Sequence, residues 1–196
     1  MSTANVRIVT DSACDLPQSV VDELGITVVP LTIRINDVEY VDREQLSVDQ
    51  FWTACAASPT LPETAAPAPG QFEAAYRRLA AEGATSIVAI NLSAGLSATM
   101  QSAELAARSV APDISVTVID SEHVTLGLGL VVAEAARLAR EGASHDTSVQ
   151  KMTASRKAIH GVLRERNTGR SGDAWLRRQR SAVATAATAN RANAHH

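Results

Sequence analysis

Residues 6–25, VRIVTDSACDLPQSVVDELG, predict a buried strand, a turn and a helix in succession. The strand, Val6–Thr10, is a β-branched run without a polar face, which is typical of a strand covered on both sides in a parallel sheet. Asp15 and Gln18 have the spacing of a capping box, and Gly25 is a suitable end for the helix. This stretch therefore predicts the first strand and helix of an α/β fold.

The alternation of strands and helices continues to about residue 148. It indicates an α/β fold with an open parallel sheet and flanking helices. A loop is expected where four of the seven prolines cluster. The further predicted elements are the strand Ile26–Pro30, a hairpin of Leu31–Ile35 and Val38–Tyr40, a helix from Ser47 to about Ala57, the proline-rich loop Pro59–Gly70, the helix Gln71–Glu82, the strand Ser86–Ile90, a helix from about Ser97 to Val110, the strand Ile114–Ile119 and the helix Thr125–Arg140.

Charge and composition divide the chain near Gln150. Residues 1–149 contain 8 of the 18 basic residues and 19 of the 21 acidic residues, so their net charge is −11, whereas residues 150–196 carry +8. The last part has few large apolar side chains to offset the entropy of ordering it. We expect one α/β domain over 1–148, a helix over 149–166 and a disordered, basic, low-complexity tail over 167–196.

Composition also excludes several classes of protein. No apolar run reaches about eighteen residues, the length that spans a bilayer, and no secretory signal pattern opens the sequence. The two cysteines, Cys14 and Cys55, fit reduced thiols, so a cytoplasmic location is expected. Aromatic residues make up 3% of the chain, which disfavours nucleic acid as a partner, and we interpret the arginine-rich tail as a solvated segment.

Small hydroxyl residues follow three of the predicted strands. Because ligands of open α/β sheets bind beyond the carboxyl ends of the strands, these residues are candidates for a site that holds a carboxylate or phosphate. The competing interpretation is that they only cap helices and satisfy loop carbonyls. The candidates at the strand ends are Asp11, Ser12, Ser93, Gly95, Ser97 and Ser121, and the proline-rich loop adds Thr64.

Catalytic and metal-binding patterns are mostly missing. Neither a phosphate-binding G-x-x-x-x-G-K-[ST] loop nor a dinucleotide-binding G-x-G-x-x-G motif occurs, so no cofactor is predicted. A hydrolase or phosphotransferase that uses Asp11 or Ser97 remains an alternative, although Asp11 is better suited to an Asx-type turn. The histidines lack metal-ligand spacing, so no metal is predicted, and His123 is interpreted as a solvated loop residue. Cys14 is interpreted as an ordinary buried thiol.

Four motifs in order make the chain resemble the DegV family of bacterial fatty-acid-binding proteins. They are VTDSACDLP from Val9, LPETAAPAPGQF from Leu61, LSAGLSATMQSA from Leu92 and VIDSEHVTLGLG from Val118. The resemblance implies a DegV-like N-terminal α/β domain that binds a long-chain fatty acid, with its chain in an apolar tunnel. It further implies that hydroxyls of Thr64 and Ser93 hold the carboxylate for a separate fatty acid kinase, and that the protein catalyses nothing.

The sequence departs from that family in its loops and in its length. Ala65 and Ala94 stand where the family often has serine, so fewer hydrogen bonds to the head group are expected. The resemblance implies a second domain that completes the tunnel, and nothing after about residue 166 resembles one. A changed reading frame or premature end of the coding sequence is one hypothesis. A shortened relative that binds no lipid tightly is therefore a further alternative.

Overall fold

The computed structural model describes residues 5–167, which form seven strands and six α-helices. The predicted tail over 167–196 lies outside the described residues from residue 168 onward. The strands are β1 (Val6–Asp11), β2 (Thr27–Val29), β3 (Thr32–Ile35), β4 (Val38–Val41), β5 (Glu63–Ala65), β6 (Ser86–Asn91) and β7 (Ser115–Asp120), and the helices are α1 (Gln18–Leu24), α2 (Val48–Ala57), α3 (Pro69–Ala81), α4 (Thr99–Val110), α5 (Leu126–Arg140) and α6 (His145–Asn167).

The main sheet is parallel and has the strand order β2-β1-β6-β7. Strands β1 and β6 are neighbours, with Val9 opposite Ala89, although three α-helices, the β3–β4 pair and the short strands β2 and β5 separate them along the chain. All residues of β6 are buried, which explains why its sequence is continuously apolar rather than alternating. The predicted open parallel sheet with flanking helices is confirmed.

Helices cover both faces of this sheet. On one face, the buried side chains of Val9 and Ala89 pack in one cluster with Phe72 and Tyr76 of α3 and with Ala103 of α4. Helices α1 and α5 pack against each other, and α5 lies against β1 and β6 on the opposite face. The hydrophobic core is therefore split into two layers by the sheet. None of the helices within residues 5–167 is apolar over a sufficient length to cross a bilayer.

A second sheet, with the order β4-β3-β5, corrects one prediction. The hairpin between β3 and β4 is confirmed, and its turn residues Asn36 and Asp37 have φ of 49° and 64°, as a two-residue hairpin turn requires. Strand β5, however, lies inside the segment Pro59–Gly70 that was expected to be a loop. It pairs antiparallel with β3. Because this strand has only three residues and depends on a distant partner, its local sequence does not predict it.

The start of α1 differs from the expected capping box. Residues Ser12–Cys14 form a short 3₁₀ turn that ends at Asp15 with φ of 50°, and α1 begins only at Gln18 after Pro17. The Gln18 side chain donates to Asp22 rather than accepting from an N-terminal amide. The corresponding prediction for α2 is confirmed, because Ser47 and Gln50 form a reciprocal capping box.

Helix α5 packs very closely against the turn that follows β1. A Cβ atom added at Gly129 would overlap the backbone carbonyl oxygen of Cys14 and would also touch the Leu16 side chain. Because a carbonyl of a tight turn cannot move as a flexible side chain can, glycine is required at this position. Gly129 thus allows α5 to pack against the turn that follows β1.

We expect G129A to lower the free energy of unfolding by about 1–3 kcal/mol, because the added methyl group overpacks the contact with Cys14. The matched control is G70A in α3, where an added Cβ meets nothing within 4 Å. That change should be neutral or slightly stabilising, since alanine favours a helix. Urea denaturation measures both values, and equal stability of the two variants would contradict the close packing.

Candidate ligand-binding site at the carboxyl edge of the sheet

The carboxyl ends of three neighbouring strands bring the predicted loops together. Strand β1 ends at Asp11, β6 at Asn91 and β7 at Asp120, and Asn91 lies directly opposite Asp120. Thr10 lies opposite Ile90, so the end of β1 is level with the end of β6. The loops after these strands therefore start at one edge of the sheet, as the sequence predicted for a parallel order.

Asp11 holds two of these strand ends together. Its side chain is fully buried, and Oδ2 accepts from the Leu92 backbone N–H at 2.9 Å and from Asn91 Nδ2 at 3.1 Å. Its Oδ1 accepts from the Ala13 N–H at 3.1 Å, which is the predicted Asx-type turn. Burial raises the pKa of Asp11, and these hydrogen bonds offset part of the rise. Asp11 thus fixes where the loop after β6 begins.

Ser12 and Ser121 are also buried and use their hydroxyls within the fold. Ser12 Oγ accepts from the Leu31 N–H at 3.0 Å. Ser121 Oγ donates to the carbonyl oxygen of His123 and accepts from the His123 N–H, both at 3.1 Å. These two serines shape the backbone of the loops and have no surface to offer a ligand.

Ser93 differs from them because its hydroxyl proton is available. The residue is partly exposed, and Oγ accepts from the Gly95 N–H at 3.3 Å. The Ser93 backbone N–H donates to the carbonyl oxygen of His123 at 2.9 Å, which joins this loop to the one after β7. Ser97 forms a hydrogen bond with the Thr99 hydroxyl at 2.9 Å and accepts from the Thr99 N–H, and it lies two residues before the start of α4 rather than at its start.

Thr64 lies on the second sheet, in β5, and its side chain is exposed. It is opposite Ile33 of β3, so the two side chains share one face of that sheet. Within residues 5–167, no hydrogen bond joins Thr64 to the Ser93 loop. The structure therefore brings Asp11, Ser93 and the other strand-end candidates together, but it holds Thr64 on a separate element.

Large apolar side chains are exposed beside the Ser93 loop. Leu96 follows Ser93 in the loop after β6 and is 68% exposed. Val124 precedes α5, and Leu126 and Leu130 lie in the first turns of that helix; their exposure is 39%, 60% and 51%. Exposed apolar residues grouped at one edge of a fold are typical of an interaction site. We name Leu96, Val124, Leu126 and Leu130 the apolar edge.

A cavity of about 760 Å³ opens elsewhere, between the start of α1, the second sheet and α2. Its apolar lining includes Leu16, Ile33 and Phe51, and Arg43 contributes charge. Arg43 is already engaged there, since Nη1 donates to the carbonyl oxygen of Leu16 at 2.9 Å. As far as residues 5–167 show, neither Thr64 nor Ser93 lines this cavity.

His123 corrects another prediction. It was expected to be a solvated loop residue, but it is only 7% exposed, and its Nε2 lies 3.3 Å from the carbonyl oxygen of Arg156 in α6. Its burial comes from the packing of α5 and α6, which the local sequence does not reveal. The predicted burial of the Cys14 thiol is confirmed, and burial raises its pKa.

Sequence reasoning also missed the backbone strain after β7. Glu122 and Thr125 have φ of 57° and 55°, and Thr125 combines this with ψ of −136°, a region that glycine normally occupies. No glycine or asparagine marks these positions in the sequence.

Among the described residues, no group of three or more His, Cys, Asp or Glu side chains could hold a metal ion.

The fold and this edge define an α/β domain with hydroxyl-bearing loops and an adjacent apolar surface. The sequence profile of an uncharacterised protein family, the DegV family, matches residues 5–164. A DegV domain-containing protein of Deinococcus radiodurans is 40% identical over 148 residues, which cover 76% of this chain and 52% of the relative. The chain belongs to the DegV family.

Solved structures agree with this assignment. A DegV family protein of Thermus thermophilus, described for its fatty acid binding, is 34% identical with a TM-score of 0.71, covering 78% of this chain and 54% of that one. The fatty acid kinase B3 protein of Streptococcus pneumoniae, loaded with linoleic acid, is 28% identical with a TM-score of 0.65 and covers the same shares of the two chains. The chain spans about half the length of the curated relatives it matches.

We expect D11A to lower the free energy of unfolding by about 2–4 kcal/mol, because it leaves buried N–H donors of Ala13 and Leu92 and the amide of Asn91 without their acceptor. The control is D22A, since Asp22 is an exposed carboxylate that accepts from Gln18 alone. That variant should stay within about 0.5 kcal/mol of the wild type. Chemical denaturation compares them, and a D11A protein as stable as D22A would refute the structural role of Asp11.

Proposed function

We propose that the chain binds a long-chain fatty acid, with the carboxylate at Ser93 and Thr64 and the acyl chain against apolar surface. The observation that carries this proposal is the pairing of one available hydroxyl, Ser93, with the apolar edge beside it. An amphiphile with an acidic head and a hydrocarbon chain matches both features. Hydroxyls and backbone N–H groups can bind a carboxylate without a counter-cation.

The secondary candidates support the same arrangement in different ways. Asp11, Ser12 and Ser121 are buried and already bonded, so their proposed role is to hold the loops in shape. Gly95 is exposed in the Ser93 loop, and the Ser97 hydroxyl accepts from the N–H of Thr99, the first residue of α4. Thr64 would reach the same carboxylate only if the ligand bridged the two sheets, and this part of the proposal rests on the family resemblance.

Affinity in this proposal comes from the acyl chain. Burial of one methylene group contributes roughly 0.8 kcal/mol, so a chain of about sixteen carbons contributes on the order of 10 kcal/mol before the costs of association. The few polar groups contribute less free energy and instead orient the head group. A tunnel in which the whole chain is buried would need more apolar surface than the apolar edge alone.

The relatives support both the ligand class and a partner. The Thermus and pneumococcal proteins are described with fatty acids, and the latter is named the fatty acid kinase B3 protein. We therefore extend the proposal to a cytoplasmic carrier that presents the carboxylate to a fatty acid kinase and carries out no chemistry itself. Detection of an acyl phosphate after adding a purified fatty acid kinase and ATP to the loaded protein tests this step.

The enzyme alternative receives little support from the site. A nucleophile needs access to substrate and a nearby base. Asp11 is fully buried and accepts hydrogen bonds from all of its partners, and the Ser97 hydroxyl is bonded to Thr99. Hydrolysis of a generic ester or phosphate that disappears in D11A or S97A would revive this alternative.

Mass spectrometry of gently extracted protein should detect a fatty acid that co-purifies with the chain. We expect the double variant T64A/S93A to bind palmitate more weakly, by about a hundredfold or more, because each of the two lost hydrogen bonds to a charged group is worth about 1.5 kcal/mol or more. Isothermal titration calorimetry measures the affinity.

The control for this experiment is the double variant T53A/S115A. Thr53 donates to the Asp49 carbonyl oxygen on α2, and Ser115 is exposed at the amino end of β7, so both hydroxyls lie away from the loops. Its affinity should equal that of the wild type. Unchanged palmitate uptake by T64A/S93A would overturn the assigned head-group residues, and a lipid-free wild type that also takes up no oleate or palmitate would overturn the function.

A further inference from the structure

Helix α6 contacts the carboxyl edge of the main sheet at Arg156. The guanidinium Nη1 of Arg156 donates to the carbonyl oxygen of Asp120 at 2.8 Å and lies 3.5 Å from Oε1 of Glu122. The backbone carbonyl oxygen of Arg156 is 3.3 Å from Nε2 of His123. Arg156 of α6 therefore contacts three residues at the end of β7 and just after it, namely Asp120, Glu122 and His123.

Two of these residues, Asp120 and His123, also hold the Ser93 loop. The carbonyl oxygen of His123 accepts from the Ser93 N–H at 2.9 Å, and Oδ1 of Asp120 accepts from the Ala94 N–H at 3.2 Å. Hydrogen bonds thus run from the Arg156 guanidinium through Asp120 to the backbone of Ala94, and from the Arg156 carbonyl oxygen through His123 to the backbone of Ser93. Such a set transmits a constraint because each donor and acceptor has one favourable geometry.

Charge gives Arg156 a second effect at this edge. Asp120 and Glu122 are carboxylates beside the Ser93 loop, and they would repel an anionic head group. The Arg156 side chain is 22% exposed, and no described residue accepts a hydrogen bond from its buried Nε, so those residues leave part of the guanidinium's bonding capacity unused. A cation in this position offsets the two acidic groups more effectively than it would in bulk solvent.

We propose that Arg156 is a positioning residue of the head-group site, which holds the Ser93 loop in place and makes the edge favourable for a carboxylate. The proposal rests on the fatty-acid-binding function proposed above and deepens it. It assigns to Arg156, which lies beyond the domain boundary expected at residue 148, a part in the selection of acids over uncharged lipids. Arg156 acts through Asp120 and His123.

The test compares R156A and R156K with R140A in the full chain. Arg140 is the matched control, because its Nη1 also donates to a backbone carbonyl oxygen, that of Glu23, at 3.0 Å and at the other end of α5. The ligands are palmitate and hexadecanol, delivered from cyclodextrin. We expect R156A to bind palmitate about tenfold more weakly with hexadecanol affinity nearly unchanged, R156K to be intermediate, and R140A to match the wild type.

A second measurement needs no ligand. Amide hydrogen exchange at Ser93 and Ala94 should be about tenfold faster in R156A than in the wild type, intermediate in R156K and unchanged in R140A. If R156A does not fold, amide exchange in R156K is compared with that in the wild type and in R140A instead. Wild-type exchange at both amides in the variants would overturn the proposal, whether or not palmitate binds.

The two proposals fail in distinguishable ways. Equal loss of palmitate and hexadecanol affinity in R156A, or unchanged palmitate affinity, overturns the role of Arg156 while the wild type still binds fatty acid. A wild type that binds neither lipid overturns the proposed function, and the hydrogen exchange at Ser93 and Ala94 then decides by itself whether Arg156 positions the loop.

Discussion

The arrangement of the site depends on the buried carboxylate of Asp11. It joins the end of β1 to the start of the loop after β6, by accepting from Leu92 and Asn91, residues that lie 81 and 80 positions away in the chain. Donors buried in the same place would each cost free energy if they lacked an acceptor. The carboxylate of Asp11 is therefore needed as a hydrogen-bond acceptor within the fold. By fixing Asn91 and Leu92, it also sets the position of Ser93, the next residue in the chain.

Because of this constraint, the buried and the exposed polar residues at the sheet edge have different roles. Buried polar groups, such as Ser12 and Ser121, hold the loops, and the function proposed above assigns ligand contact to the partly exposed Ser93. The apolar edge lies next to it and carries the surface that a hydrocarbon chain can cover. This combination suits the proposed ligand, which has a hydrocarbon chain and a carboxylate. Few polar groups are needed, because they contact only the carboxylate.

Local patterns predicted the elements well where they depend on neighbouring residues. The β-branched runs became β1, β6 and β7, and the Ser47–Gln50 spacing became a capping box. The Asp15–Gln18 spacing failed because the 3₁₀ turn after β1 places Asp15 in a left-handed conformation outside the helix. Strand β5 was missed because it exists only through its pairing with β3.

The sequence by itself determined the α/β class, the parallel sheet and the presence of hydroxyls at one edge, since hydrophobic period and strand ends are local properties. Tertiary structure alone decided the burial of His123, the position of Thr64 in a second sheet and the contact of Arg156 with Asp120. These depend on how helices pack and strands pair across long stretches of chain. A spacing rule describes a few neighbouring residues and contains no information about such distant partners.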